Sequence, residues 1–244
     1  MAVLLEKGRY QARLAQTACD VAEAQKLRTL AFATEDQDCD VFDEHCNHVL
    51  IEDMRTSGEL VCCFRMLTMQ GGDEVGRSYS AQFYDLSALR GFTGPMVEMG
   101  RFCIHPDRHD PDILRVAWGA MTAYVDQNGV EMLFGCSSFA GTETVEYLDA
   151  FAMLKDKHLA PKRWLPRVKA PDVFRFATRL RRRPNAKLAM LRMPPLLRTY
   201  LMMGGWVSDH AVVDRQMNTL HVFTGLEISA IPAARKRLLR AVAG

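Results

Sequence analysis

The chain has 244 residues, 48% apolar and 25% charged, with 31 Lys/Arg against 29 Asp/Glu, values of a globular protein with a sizeable core. No apolar run reaches the ~20 residues that span a bilayer, and the opening MAVLLEKGRY is too short in its apolar stretch for a signal peptide. The seven cysteines, at 19, 39, 46, 62, 63, 103 and 136, include no C-x-x-C pair, which argues against a zinc site and for thiols in a reducing cytosol.

In chain order, Tyr10–Gln16 alternates as a strand. Thr17 or Asp20 then caps a helix with Val21, Ala24, Leu27, Leu30 and Ala31 on one face. Residues 35–48 (EDQDCDVFDEHCNH) are acidic and irregular and read as a loop. Two apolar strands, 48–51 and 60–67, flank the turn DMRTSGE, and Gly71-Gly72 ends the second. The run 79–90 (YSAQFYDLSALR) has helical spacing and is broken by GFTGP. Next come a strand over 97–104, a loop over 105–111 and a helix over 112–127 stopped by Asn128-Gly129. Val130–Ser137 reads as a buried strand and Thr142–His158 as a helix. Prolines at 161, 166, 171, 184, 194 and 195 leave room only for short helices, and 206–213 with 220–228 resembles a closing strand pair before a basic helix at 232–242.

The net charge of +2 hides a strong polarity. Residues 1–154 carry 12 Lys/Arg against 24 Asp/Glu, residues 155–200 carry 14 against 2, and residues 201–244 carry 5 against 3. These boundaries divide the chain into an acidic core, a basic proline-punctuated segment and a closing strand pair with its helix. The basic block invites an anionic partner or docks on the chain's own acidic part. The element order predicts an α/β or α+β fold, a central sheet with helices on its faces.

Within this frame the strand VEMGRFCI at 97–104 holds two charges, Glu98 and Arg101. Three residues apart on a strand, their side chains leave on opposite faces. A buried carboxylate has its proton affinity raised by desolvation, which suits a general base for an amine, unless an ion pair, for example with Arg65, spends it. Arg28 and Phe32 share one helix face, and five carboxylates follow between Glu35 and Asp43, a setting for a cationic substrate or simply a solvated acidic loop. The loop HPDRHDP precedes a helix N-terminus, a ready anion site, yet it lacks glycines that would wrap a pyrophosphate. Asp110 or Asp112 fits better there as a helix cap. His45, His48 and His105 lack a metal-ligand spacing, and no metal is expected. Cys103 and Cys136 lie in apolar strands, where a buried inert thiol is the ordinary reading.

Taken together, Arg28, Phe32, Phe42-Asp43, Arg65 and Glu98-Met-Gly-Arg101-Phe102 resemble the N-terminal signature of acyl-homoserine-lactone synthases, where the strand reads E-x-S-R-F and here Gly100 replaces the serine. HPD with DILR-x-x-W, then G-V-x-M-L-F-G-C-S-S-F, then P-P-L-L-R-x-Y-L-x-x-G-x-W-V is similar to the bacterial L-ornithine N-acyltransferases, which make lyso-ornithine lipid from ornithine and a 3-hydroxyacyl carrier protein. Both belong to the GNAT (Gcn5-related N-acyltransferase) superfamily.

The resemblance implies a GNAT-like fold, a mixed but mostly antiparallel sheet flanked by helices with a basic helical insertion. It implies Glu98 as the base that frees the acceptor's α-amine for direct attack on the thioester. Asp40 and Asp43 would bind the acceptor's cationic end, Arg28, Arg65 or Arg101 its carboxylate, and Phe32 would line the site. The thioester edge would hold Phe102, Ile104, Arg108, Arg115 and Ser137. The missing glycine-rich loop favours acyl carrier protein over coenzyme A as donor, with no separate cofactor, and the basic block would dock that acidic carrier. The expected location is the cytoplasm, with peripheral contact to an anionic membrane face. Glutamine, glycine or another amino acid, or an acyl-homoserine-lactone-type reaction, is the alternative. A nucleic-acid or membrane module built on the basic block would leave Glu98, Arg101 and the acidic loop without a purpose, so nucleic acid is not an expected partner.

Overall fold

A computed structural model describes residues 3–243. Strands β1 (Val3–Lys7) and β2 (Tyr10–Leu14) form a hairpin closed at Gly8, whose φ of +62° suits glycine. Helix α1 (Ala18–Phe32) opens on a reciprocal capping box: Thr17 Oγ1 accepts from the Asp20 amide, and the Asp20 carboxylate accepts from the Thr17 amide. Strands β3 (Asn47–Asp53) and β4 (Glu59–Met69) follow the acidic loop and pair antiparallel.

The stretch expected as a helix over 79–90 is not one. It forms 3₁₀ turns at Ser80–Gln82 and Ser87–Gly91 around the short strand β5 (Tyr84–Asp85). Apolar spacing misled because Tyr84 and Asp85, in the middle of the stretch, are extended and pair with Val168 and Arg167 instead of continuing a helical ladder.

Strand β6 (Met96–Ile104) leads to α2 (Pro111–Asn128), capped by Asp110 and ended by Gly129 at φ +61°. Then come β7 (Met132–Ala140) and α3 (Leu148–Lys157), which starts later than its apolar spacing suggests, after a 3₁₀ turn at Val145–Tyr147. The basic segment holds β8 (Arg167–Val168), β9 (Val173–Phe174) and the short helices α4 (Phe176–Arg179), α5 (Ala186–Arg192) and α6 (Pro195–Met202). Strands β10 (Trp206–Asp214) and β11 (Thr219–Glu227) and helix α7 (Ala233–Ala243) complete the chain.

Two compact units result, residues 1–68, 99–130 and 232–244 in the first and 69–98 and 131–231 in the second. They cut across the charge boundaries at 154 and 200, and β6 contributes to both. In the first unit β1, β2, β3 and β4 pair antiparallel in sequence order, and Phe102 and Cys103 of β6 touch Phe64 and Cys63 of β4. Helix α1 packs Ala24 and Leu27 on Leu50, Cys63 and Cys103. In the second unit β7, β11, β10 and β9 pair antiparallel, while β6 and β7 run parallel over three pairs, Met96↔Met132 to Glu98↔Phe134. Its core joins Phe139, Phe151, Phe176, Leu197 and Val222, all but excluded from solvent. Each such side chain contributes about 1.5–3 kcal/mol by burial. This is the mostly antiparallel sheet structure with flanking helices that the resemblance implies.

Candidate active site

In the first unit the sequence-predicted arginines and aspartates converge. Arg28, on α1 and 1% exposed, donates to Asp43 at 2.7 and 3.0 Å, to Asp38 Oδ1 at 3.2 Å and to the Asp38 carbonyl at 2.5 Å. Arg65, on β4, donates to Asp40 at 2.5 and 2.8 Å and to Asp43 at 2.6 Å, with the Phe42 ring 5.5 Å from its guanidinium carbon. Arg101, on β6, reaches Asp38 at 3.1 Å and Asp40 at 3.2 Å. Gln25 donates to Asp43 at 2.9 Å. Three guanidinium groups thus bind three carboxylates, each arginine bridging two of them, and the acidic loop is held on α1, β4 and β6.

The electrostatics follow from the geometry. Burial works to raise the Asp43 and Asp40 carboxyls, but Arg28 and Gln25 at Asp43, and Arg65 and Arg101 at Asp40, outweigh it, and both end below the ordinary range. Desolvation works to lower Arg28 and Arg65, and their aspartates outweigh it, so both end above the usual value. Arg101 sits at φ +53° in mid-strand, a left-handed conformation that costs a residue other than glycine about 1–3 kcal/mol. At the neighbouring Gly100, an added Cβ would lie 3.6 Å from Arg65 Nε, an ordinary contact. Phe32 packs partly buried beside the Leu27–Leu50–Cys63 core.

In the second unit Glu98 is 5% exposed at the last pair of the β6–β7 register. Its Oε2 accepts from the Tyr79 amide at 2.8 Å; its Oε1 accepts from the Ser80 amide at 2.7 Å and the Ser80 hydroxyl at 2.6 Å. These donors offset the cost of burying the carboxylate. Ser80 Oγ also lies 3.4 Å from Cys136 Sγ on β7.

Residues expected on a thioester edge are spread more widely. Phe102 stacks on Phe64 at 5.8 Å, and Ile104 closes β6 half-buried. Arg108 pairs with Glu59 and Arg115 with Asp112, both near the surface. Ser137, buried on β7, accepts from Thr224 Oγ1 at 2.9 Å. The N-terminus of α2 is taken by the chain's own carboxylate: Asp110 accepts from the Asp112 amide at 2.9 Å and from the Tyr10 hydroxyl at 2.7 Å. Among the described residues no group of three or more His, Cys, Asp or Glu is placed to hold a metal ion, and no helix is long and apolar enough to cross a membrane.

Comparison with known proteins places the chain in one family. Residues 20–119 match the acetyltransferase (GNAT) domain. The L-ornithine N(alpha)-acyltransferase of Rhodobacter capsulatus is 31% identical over 91% of each chain. The chain belongs to this acyltransferase family. The Brucella abortus enzyme of the same name is 28% identical over 92% of this chain and 86% of its own. Among solved structures, FeeM, an N-acyl amino acid synthase from uncultured soil microbes, superposes with a TM-score of 0.54 at 11% identity, covering 94% of this chain and 99% of its own, a likeness of fold.

Sequence reasoning passed over several residues of the acyltransferase. Asp38 was one carboxylate among five in the acidic loop, yet it receives both Arg28 and Arg101. Gln25 lies one turn before Thr29 on the Arg28 helix and carries no charge to mark it. Tyr79 and Ser80 were hidden inside the apparent helix, and the glycine and proline residues crowding 71–95 were the signal that this stretch is irregular.

Proposed function

We propose that the protein transfers a (3-hydroxy)acyl chain from an acyl carrier protein to the α-amine of L-ornithine, giving lyso-ornithine lipid. The observation that carries this reading is the 31% identity to an L-ornithine N(alpha)-acyltransferase across 91% of both chains, far beyond one shared motif. Glu98, the buried carboxylate at the end of the parallel register, takes the proton from the acceptor's α-ammonium. The free amine attacks the thioester carbonyl. As the tetrahedral intermediate collapses, the nitrogen loses its second proton while the departing thiolate of the carrier gains one, leaving Glu98 to return its own proton to solvent.

In the first unit, Asp40 and Arg101 form the more open pair of the cluster, with side chains 22% and 13% exposed against 6% or less for Arg28, Arg65, Asp38 and Asp43. That pair is the part of the cluster most open to exchange with a charged small molecule. Arg28 and Arg65 keep Asp43 and the loop in place.

Two features favour a carrier-protein donor. Asp110 occupies the α2 N-terminus and Asp112 follows it, so the N–H groups and dipole that would attract a diphosphate already face carboxylates. In the basic segment Arg182 is spent on Asp149, Arg192 on Glu146 and Arg163 on Glu227. Arg167, Arg175, Arg179, Arg181, Arg183 and Lys187 are exposed, with no carboxylate partner within salt-bridge distance among the described residues. That surface suits an acidic carrier by electrostatic steering. On α5 the exposed Leu188, Met190 and Leu191 stand between Lys187 and Arg192, a combination that suits peripheral contact with an anionic membrane. The test offers the protein a 3-hydroxyacyl carrier protein, or the matching coenzyme A thioester, with each amino acid, and identifies N-acyl products by mass. Acyl-ornithine from the carrier is expected; a product formed only with another amino acid overturns the acceptor, and faster turnover with coenzyme A overturns the donor.

A further inference from the structure

We propose that Ser80 is a positioning residue through which Glu98 exchanges protons, in a relay that begins at Cys136. The inference rests on Glu98 acting as the base and adds how a proton reaches it. Ser80 is fully buried and grips one oxygen twice, with its amide at 2.7 Å and its hydroxyl at 2.6 Å, while the Tyr79 amide takes the other oxygen at 2.8 Å. The turn that presents Ser80 is itself tied down. Ser78 Oγ donates to the Val75 carbonyl at 2.7 Å and accepts from the Ala81 amide, and the Phe83 amide closes on the Ser80 carbonyl at 3.1 Å. The carboxylate is thereby fixed in one orientation.

The direction of the chain follows from donor count. A carboxylate can only accept, and a serine hydroxyl has one proton to give. That proton lies in the 2.6 Å contact to Glu98, so the lone pairs of Ser80 Oγ face Cys136 Sγ at 3.4 Å and the thiol donates. Cys136 is part-exposed on β7, whereas Ser80 is fully buried and Glu98 5% exposed. Donors thus point inward from the accessible end to the buried carboxylate, the polarity needed for a base that takes up a proton. In the transfer, the S–H proton moves to Ser80 Oγ as the O–H proton moves to Glu98 Oε1, and the sulfur takes the proton leaving the acceptor's ammonium. No bond to carbon changes, and the net result is one proton moved from nitrogen to Glu98.

The test measures turnover of the full chain with a 3-hydroxyacyl carrier protein and ornithine. Ser80→Ala is expected to lower kcat about ten- to a hundred-fold, part of the 10²–10⁴ that general base catalysis supplies. KM for both substrates should stay within about two-fold and the acidic limb of the pH profile should move. Ser80→Thr keeps the hydroxyl and should recover most of the loss. Cys136→Val, on a different element, should lose a similar factor, and Cys136→Ser should recover turnover relative to it. Wild-type kcat in Ser80→Ala or in Cys136→Val overturns the relay while an inactive Glu98→Gln leaves the base in place. Wild-type kcat in Glu98→Gln removes the base itself, so the two failures are distinct.

Discussion

In the first unit Asp38, Asp40 and Asp43 are met by three guanidinium groups, whereas in the second Glu98 is met by two amides and a hydroxyl. Both solutions keep carboxylates out of water at tolerable cost, but they leave different chemistry behind. Full positive charges drive Asp40 and Asp43 toward permanent ionisation, which suits a clamp on a loop or a charged substrate. Two amides and a hydroxyl fix the Glu98 carboxylate in one orientation, which suits a group that must meet a proton at a defined oxygen atom.

That contrast can be broken by substitution. Glu98→Gln should lower kcat by about 10²–10⁴-fold. Because its NH2 group replaces one of the two oxygens that accept from the Tyr79 and Ser80 amides, it should also lower stability by about 1–3 kcal/mol without loss of the fold. Steady-state turnover and calorimetry check both; an unfolded variant would make Glu98 a structural group like the aspartates. Arg28→Ala should act mainly on stability. It removes one of the two guanidinium groups that Asp38 and Asp43 each hold in a buried site, and urea unfolding should report a loss of about 3–5 kcal/mol.

Acid separates the regions by pH window. Burial holds His221 down at about 4, with His210 acting in the same direction and Asp214 against it. Its folded value lies below the ordinary ~6.5, so the stability it contributes is complete above pH ~6.5 and is lost progressively as pH falls toward 4, about 3 kcal/mol in all. The depressed aspartates contribute in full above the ordinary carboxyl value of about 4 and lose that contribution only below it. Unfolding free energy measured from pH 7.5 to 4 should therefore fall first through histidine. His48 of the first unit is displaced in the same direction by burial, so the share of His221 is read from a His221→Asn variant, whose curve should be flatter. The smallest effect is expected at Gly100→Ser: the new Cβ meets Arg65 at ordinary contact distance, and stability and turnover should change little, within about 0.5 kcal/mol.

Much of this was legible in the sequence because charge and periodicity announce themselves. Arg28, Arg65 and Arg101 stand out on apolar elements, the acidic loop beside them is dense, and the caps of α1 and α2 follow from Thr17, Asp20 and Asp110. The β1 strand was not seen, since five residues paired across the two-residue turn Gly8-Arg9 leave almost no pattern. Which carboxylate meets which arginine depends on how the loop closes, and so on distances that no spacing encodes. Ser80 was invisible for another reason. Its importance comes from a backbone amide as much as from its side chain, and every residue but proline has one.

Arg101 has the backbone geometry of a glycine and the side chain of an anchor. Local conformational preference and long-range charge pull that position in opposite directions, and the ~3–5 kcal/mol at stake when a buried ion pair is broken exceeds the ~1–3 kcal/mol that a relaxed backbone would return. The kink is therefore carried by contacts far away in sequence. Were the acidic loop to swing out, this turn of β6 would lose what holds it, and strand and loop would rearrange as one piece.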